Sequence, residues 1–280
     1  MCLNSPGGKC AAPVDPYDAG VATAPVGQIL AHWRGVRRMS QLSLAIEAQV
    51  SPRHVSFVES GRSRPSAAMV LTLARALDVP LRERNQMLLA AGHAPVYPHA
   101  DLDAPAMAPV RAAVDRILDH HAPFPAVVLD RHWNLVTANE PAGALFGWLL
   151  GERSSEPANV VRLMYDPAGL RPHVANWDEV GEMLIQRVHR EAVGGTPDAD
   201  TQDLLDEALA QPGVPVAWRT PDFVPAPTPM LPIRFAKDGL ALSYFSMVTT
   251  LGTPLDITAQ ELRIESFYPA DEATGRHRWL

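Results

Sequence analysis

The sequence predicts two folded units in series, an all-α bundle of five helices followed by an α+β domain. Three observations carry this. Helix-start residues and apolar stripes at helical spacing succeed one another between residues 25 and 92. Alternating and buried-strand patterns appear only after residue 125. Positive charge is concentrated in the first unit, where residues 27–95 hold nine Arg against Glu47, Glu59, Asp78 and Glu83, a balance of +5 that leaves −12 for the rest of a chain totalling −7. A basic module on an acidic body is the asymmetry expected when one domain meets phosphate and the other does not.

The first helix follows Pro25, with Ile29, Leu30, Trp33 and Val36 as its stripe and Arg37 and Arg38 in its last turn. Ser40 caps the second, whose stripe is Leu42, Ala45 and Ile46. Only Gln49 and Val50 separate it from Ser51-Pro52, a start signal in which serine caps and proline takes the first helical position. The third helix runs to about Ser60, stops at Gly61, buries Val55 and Val58, and turns Arg53, Ser56 and Phe57 outward. Ser66 caps a fourth helix with the stripe Val70, Leu73, Ala74 and Leu77, and residues 81–91 form a fifth that ends before Gly92.

The pieces Ser40-Gln41-Leu42-Ser43-Leu44-Ala45, Val50-Ser51-Pro52 and Phe57-Val58-Glu59-Ser60-Gly61-Arg62-Ser63-Arg64-Pro65-Ser66 resemble the Xre/Cro-type, lambda-repressor-like helix-turn-helix family. The resemblance implies that the third helix enters the major groove of a double-stranded DNA operator with its N-terminal residues at base edges. The matching positions are Ser51, Pro52, Arg53, His54, Ser56 and Phe57. Arg53 suits bidentate contact with guanine, whereas Phe57 offers a thymine methyl only apolar contact. Gln41, Arg62 and Arg64 match phosphate-contacting positions. It also implies a homodimer on an inverted repeat, and a pair between Arg34 and Glu59. Many members carry a polar residue where Phe57 stands, so Phe57 either reads a methyl-rich step or turns inward to the core.

Residues 96–108, rich in Pro, Ala and Asp, read as a linker. A helix over about 109–120 then leads to a buried strand at 126–130, a turn at Arg131-His132, an alternating strand at 133–138, and a helix opened by Asn139-Glu140-Pro141. Helices over about 177–192 and 200–210 and an antiparallel pair at about 240–251 and 262–268 complete the body, with 271–280 as a tail. The hairpin-then-helix entry resembles a PAS domain. Asn159 to Pro167, Asn176-Trp177, Val188-His189-Arg190 and Gly195-Thr196-Pro197-Asp198 resemble the MmyB-type ligand-binding domain found behind Xre-type modules, a likeness over roughly 109–270. Leu231-Pro232-Ile233-Arg234-Phe235 stands where that family commonly has His-Pro-x-x-Gly.

The second resemblance implies a small apolar, fatty-acid-like ligand, and Phe146, Trp148, Met164, Trp177, Phe245 and Met247 are the candidate lining, with Arg162 to orient a carboxylate. Plain core is the other reading of those apolar residues. No nucleophile elbow, His-Glu-x-x-His or phosphate-cradling glycine loop is present, so neither enzyme chemistry nor a cofactor is expected. His120 and His121, being adjacent, point to different helix faces and do not suggest a metal pair. The longest nearly apolar run, residues 142–151, is short of the ~18 residues a membrane helix needs. With no secretory pattern at the N-terminus, the expected place is the cytoplasm. Cys2 and Cys10 fit no zinc or redox motif and lie in a leader, 1–24, expected to be disordered. The expected units are therefore 25–95 and 109–270. The sequence leaves two roles for the second: sensing a ligand, or serving a constitutive or antitoxin-like DNA-binding protein by dimerisation or protein binding alone.

Overall fold

The computed structural model describes residues 25–151, 158–194, 198–221 and 230–279; the leader with Cys2 and Cys10 and the motif residues Gly195, Thr196 and Pro197 lie outside the described residues. Five helices open the chain: α1 (Val26–Val36), α2 (Gln41–Glu47), α3 (Pro52–Glu59), α4 (Ala67–Ala76) and α5 (Leu81–Ala90). Ser40, Ser51 and Ser66 each accept a backbone N–H from three residues on, at Ser43, His54 and Met69, satisfying donors that a helix start leaves orphaned. Gly61 and Gly92 close α3 and α5 with φ of +72° and +81°, a region open mainly to glycine.

The bundle core joins Leu30, Trp33, Leu44, Ala45, Val55, Val58, Val70, Leu73, Leu77, Met87 and Leu88. Two parts of the expected stripes lie outside it. Leu42 and Ile46 are 56% and 68% exposed, and Val36 is 38% exposed. The short α2 meets its neighbours through Leu44, Ala45 and Ala48; Leu42 and Ile46, four residues apart, share the outer side.

The expected linker is a bound strap. Asn85, fully buried on α5, accepts from Val96 N and Tyr97 N at 3.1 Å each and donates to Tyr97 O at 2.8 Å. Further on, Pro98 O accepts from Ile257 N at 2.9 Å, and Ala100 N donates to Asp256 Oδ2 at 3.0 Å. Buried polar groups satisfied in this way hold an otherwise irregular segment in one path.

The second unit contains α6 (Ala108–His121), β1 (Ala126–Leu129), β2 (Leu135–Ala138), α7 (Glu140–Leu150), α8 (Val160–Tyr165), α9 (Trp177–Gly194), α10 (Ala199–Ala210), β3 (Ile233–Lys237), β4 (Leu240–Thr249), α11 (Ile257–Glu261), β5 (Arg263–Pro269) and α12 (Glu272–Arg276). The five strands form one antiparallel sheet in the order β2-β1-β5-β4-β3. Alternation assigns its faces. Val127, Leu129, Phe235, Leu242, Tyr244 and Phe267 face α7 to α10 in the main core, while Ala126, Val128 and Ile264 face Val114 and Leu118 of α6.

Strand β3 was not anticipated: its residues stand at the family departure, and their alternation, with Ile233 and Phe235 buried and Arg234 exposed, spans only five residues. The expected tail is also structured. Thr274 of α12 is buried and accepts from Ser243 N at 2.9 Å, and Trp279 packs 5.7 Å from Trp148.

Candidate functional site

Two regions bear on function: the outer side of α3, and the clefts around the second unit. On α3, Ser51 caps, and Pro52 and Arg53 stand exposed at the first turn, with His54 and Ser56 half-buried. The Arg53 guanidinium lies 5.0 Å from the centre of the Phe57 ring. Phe57 therefore faces outward and supports Arg53 through the attraction of a cation for an aromatic face. Arg62 and Arg64 are exposed just beyond the helix.

The angle of α3 is held from behind. Arg34 on α1 makes two bonds to Glu59, Nε to Oε1 at 2.7 Å and NH2 to Oε2 at 3.0 Å, and a third to Met39 O at 2.9 Å. Gln41 Nε2 donates to the same Glu59 Oε2 at 2.7 Å, so the amide expected at a phosphate is tied to the end of α3. Burial pushes the Glu59 carboxyl up, but hydrogen bonds from Arg34 and Gln41 and the Arg34 charge outweigh it and leave the pKa lowered. Gly27 completes the joint, because a Cβ there would come within 2.5 Å of Val58 O and 2.6 Å of Glu59 O.

The seven candidate ligand residues do not converge on one cavity. Met164 and Trp177 are buried in the core, where Trp177 Nε1 donates to Met164 O at 3.1 Å and the ring lies 5.1 Å from Trp218. Phe146 and Trp148 pack half-buried against that core. Phe245 and Met247 are on the opposite face of the sheet: Phe245 stacks on Tyr268 at 5.4 Å, and Met247 is 55% exposed. The cause is the period-two alternation of β4, which points Leu242 and Tyr244 to the core and the odd positions away.

Arg162 alone of the seven lines an open cleft of about 730 Å³, between α8, α10 and the start of β2. Leu135, Ala158, Leu163 and Ala208 supply its apolar wall. Arg162 Nε donates to Glu207 Oε2 at 2.6 Å across the cleft, both side chains about half exposed.

A second cleft, of about 390 Å³, lies where the two units meet. Arg82 of α5 makes a two-pronged pair with Glu261 of α11, at 2.7 and 2.8 Å, and Leu81 N donates to Gln260 Oε1 at 2.7 Å. Arg131, in the β1–β2 turn, reaches Asp198 Oδ2 at 2.7 Å and Glu261 Oε1 at 3.5 Å. The turn is tightly specified: Asp130 Oδ1 accepts from His132 N and Asn134 N, and Trp133 is held at φ +68°, where bulky residues are rare. Among the described residues, His132, Asp198 and Asp200 have metal-capable atoms within 4.8 Å of one another. Asp198 Oδ2 is, however, already shared by His132, Thr201 and Arg131; burial pushes the carboxyl up, but the hydrogen bonds from His132 and Thr201 and then the Arg131 charge outweigh it and hold it well below the usual range.

The junction was not read from the sequence as a unit: its charged members are far apart along the chain, and the local signals were the expected turn at Arg131-His132 and Asp198 at the end of the Gly195-Thr196-Pro197-Asp198 piece.

Residues 110–280 match the model of the MmyB-like transcription regulator ligand binding domain, and residues 36–84 match a helix-turn-helix model. No curated protein matches. Among solved structures, an RNA-binding light-oxygen-voltage receptor is similar at 14% identity with a TM-score of 0.30; the match covers 91% of this chain, which spans 61% of the receptor's chain.

Proposed function

Because the chain belongs to the MmyB-like transcription regulator family, with that ligand-binding domain behind a helix-turn-helix, we propose that it is a cytoplasmic, homodimeric, non-enzymatic regulator whose affinity for an inverted-repeat operator responds to a small apolar acid. DNA binding through the helix-turn-helix is the coarse function. The finer reading is carried by one observation: Arg162 stands at the rim of a cleft of about 730 Å³ with an apolar wall, a volume in the ~300–1,000 Å³ range of small-molecule sites. A carboxylate on Arg162 would displace Glu207, and an aliphatic chain would lie along Leu135, Leu163 and Ala208. Arg53 is the leading base reader, with Ser51, Pro52, Ser56 and Phe57 around it and Arg62 and Arg64 on phosphate.

The test is operator binding at fixed salt by delipidated full-length protein, with and without decanoic acid, alongside mass spectrometry of whatever the purified protein carries. A response lost in Arg162→Gln supports the reading; no response to acids, alcohols or ketones of any length overturns it. A dimerisation-only role is favoured by a different observation, the exposed Met247 beside Phe245 on the outer sheet face. An unresponsive protein that turns monomeric on Met247→Glu would establish that role instead.

A further inference from the structure

The helix that walls the ligand cleft also carries the charge that governs how the two units dock. Glu207, Ala208 and Gln211 border the cleft at one end of α10, and Asp198 immediately precedes its other end. Asp198 holds Arg131 at 2.7 Å. Arg131 in turn touches Glu261 Oε1 at 3.5 Å, the same oxygen that Arg82 Nε binds at 2.7 Å. The side chains of all four residues are about one-fifth exposed, so their charges are only partly screened.

We propose that Arg131 is the switch of a latch: held by Asp198, it leaves Glu261 to clamp Arg82 and keep the DNA-binding unit docked, and released by movement of α10, it takes Glu261 Oε1 and undocks that unit. This rests on the ligand-sensing reading above and names its route of regulation. A two-pronged arginine pair needs both carboxylate oxygens. When Arg131 loses Asp198, it closes on Glu261 Oε1, competes with Arg82 Nε for that oxygen, and leaves two guanidinium groups on one carboxylate. Glu83 of α5 is a further carboxylate that feels Arg131, Arg82 and Glu261 together. Asp200 lies 3.9 Å from His132, Asp130 is bonded within its own turn, and His99 Nε2 sits 3.2 Å from Arg82 NH2.

The docked arrangement is the binding form. Docking uses α5 and leaves Arg53, Arg62 and Arg64 exposed. An undocked unit must be ordered again when both half-sites of a repeat are engaged, which weakens binding.

The experiment uses full-length protein and a DNA fragment that the protein itself selects from a random pool. Asp198→Asn keeps the shape of the side chain but removes its charge, and is expected to lower fragment affinity at least ~5-fold, the lower end of usual coupling. Spin labels at Arg75→Cys and Glu182→Cys, with Cys2 and Cys10 changed to Ser, are expected to give one narrow distance in the parent and a broad distribution with Asp198→Asn. The decisive variant is Asp198→Asn combined with Arg131→Gln: with the competitor for Glu261 gone, affinity and distance should return to those of Arg131→Gln alone. Additive effects of the two substitutions, or a narrow distance in Asp198→Asn, overturn the latch. Decanoic acid should reproduce the Asp198→Asn effect in the parent and do nothing in Arg131→Gln. If it is inert in the parent while the non-additivity holds, the ligand reading falls and the latch stands.

Discussion

Arg34 and Glu59 lie 25 residues apart in sequence, yet they meet through two hydrogen bonds of 2.7 and 3.0 Å that fix the end of α3 against α1. The Glu59 side chain is only 8% exposed and also accepts from Gln41. Removing its charge leaves Arg34 partly buried without its counter-ion, so Glu59→Gln should destabilise the helical unit by about 2 kcal/mol, between the ~1 of exposed pairs and the ~3–5 of buried ones. Because the folded carboxyl titrates below its ordinary value, this contribution is complete above pH ~4.5 and is lost as pH falls through the folded pKa. Thermal melts of both proteins at pH 7 should differ and should converge in acid; equal melts at pH 7 would show the pair to be idle.

Gly27→Ala tests the same joint by shape instead of charge. The new Cβ would meet the carbonyl oxygens of Val58 and Glu59 at 2.5 and 2.6 Å, and backbone at a helix end cannot turn aside as a side chain can. We expect a loss of about 1–3 kcal/mol, the range for overpacking, and weaker DNA binding because α3 is displaced. Unchanged melting and affinity would mean that α1 slides freely.

At the reading surface, Arg53→Ala should cost about 1–3 kcal/mol at one base position and relax preference there, while Arg62→Ala should weaken all sequences alike and flatten the salt dependence. Phe57→Leu keeps an apolar group but removes the ring under the Arg53 guanidinium, 5.0 Å away. It should therefore reproduce part of the Arg53→Ala defect, about 0.5–1 kcal/mol, at the same base position. A Phe57→Leu defect at a different position would make Phe57 a reader in its own right.

The junction should weaken in mild acid. Burial lowers the pKa of His99, and Arg82 lowers it further, against smaller upward pulls from Glu261 and Asp256. The folded state therefore favours neutral His99, whose Nε2 faces Arg82 NH2 at 3.2 Å. A depressed folded pKa supports stability above the unfolded imidazole value of ~6.5 and withdraws it as pH falls toward the folded value. The melting temperature should drop between pH 7.5 and 5.5 by more in the parent than in His99→Gln; parallel profiles would remove His99 from the account.

The helical unit was largely legible because its signals are local. Serine caps, a proline at the first turn and glycines at positive φ each act within four residues, and the structure has them at those places. What failed there was the face of α2, since Leu42 and Ile46 show helical spacing without showing which side has a neighbour. In the second unit, β1 was readable as a short apolar run, β2 from alternation, and β4 and β5 as an antiparallel pair, whereas β3, α11 and α12 are short and take their form from strands and helices far away in sequence. The candidate ligand residues were chosen by type. Residue type does not distinguish the two faces of β4, which is why Phe245 and Met247 stand apart from Met164 and Trp177. Only Arg162 joins a cleft, and the junction ties residues that no local pattern connects.

The placement of β5 sets an order of events during synthesis. β5 is the last strand of the sheet in chain order, yet it lies between β1 and β4. Until residue 269 leaves the ribosome, the two hairpins have no common neighbour, and α11, which clamps α5, arrives only just before β5. The five-helix bundle, made of local contacts and finished by residue 90, folds well before that. At ~5–20 residues per second the interval is on the order of ten seconds. Each nascent molecule therefore carries a finished helix-turn-helix before the sheet of its second unit can close.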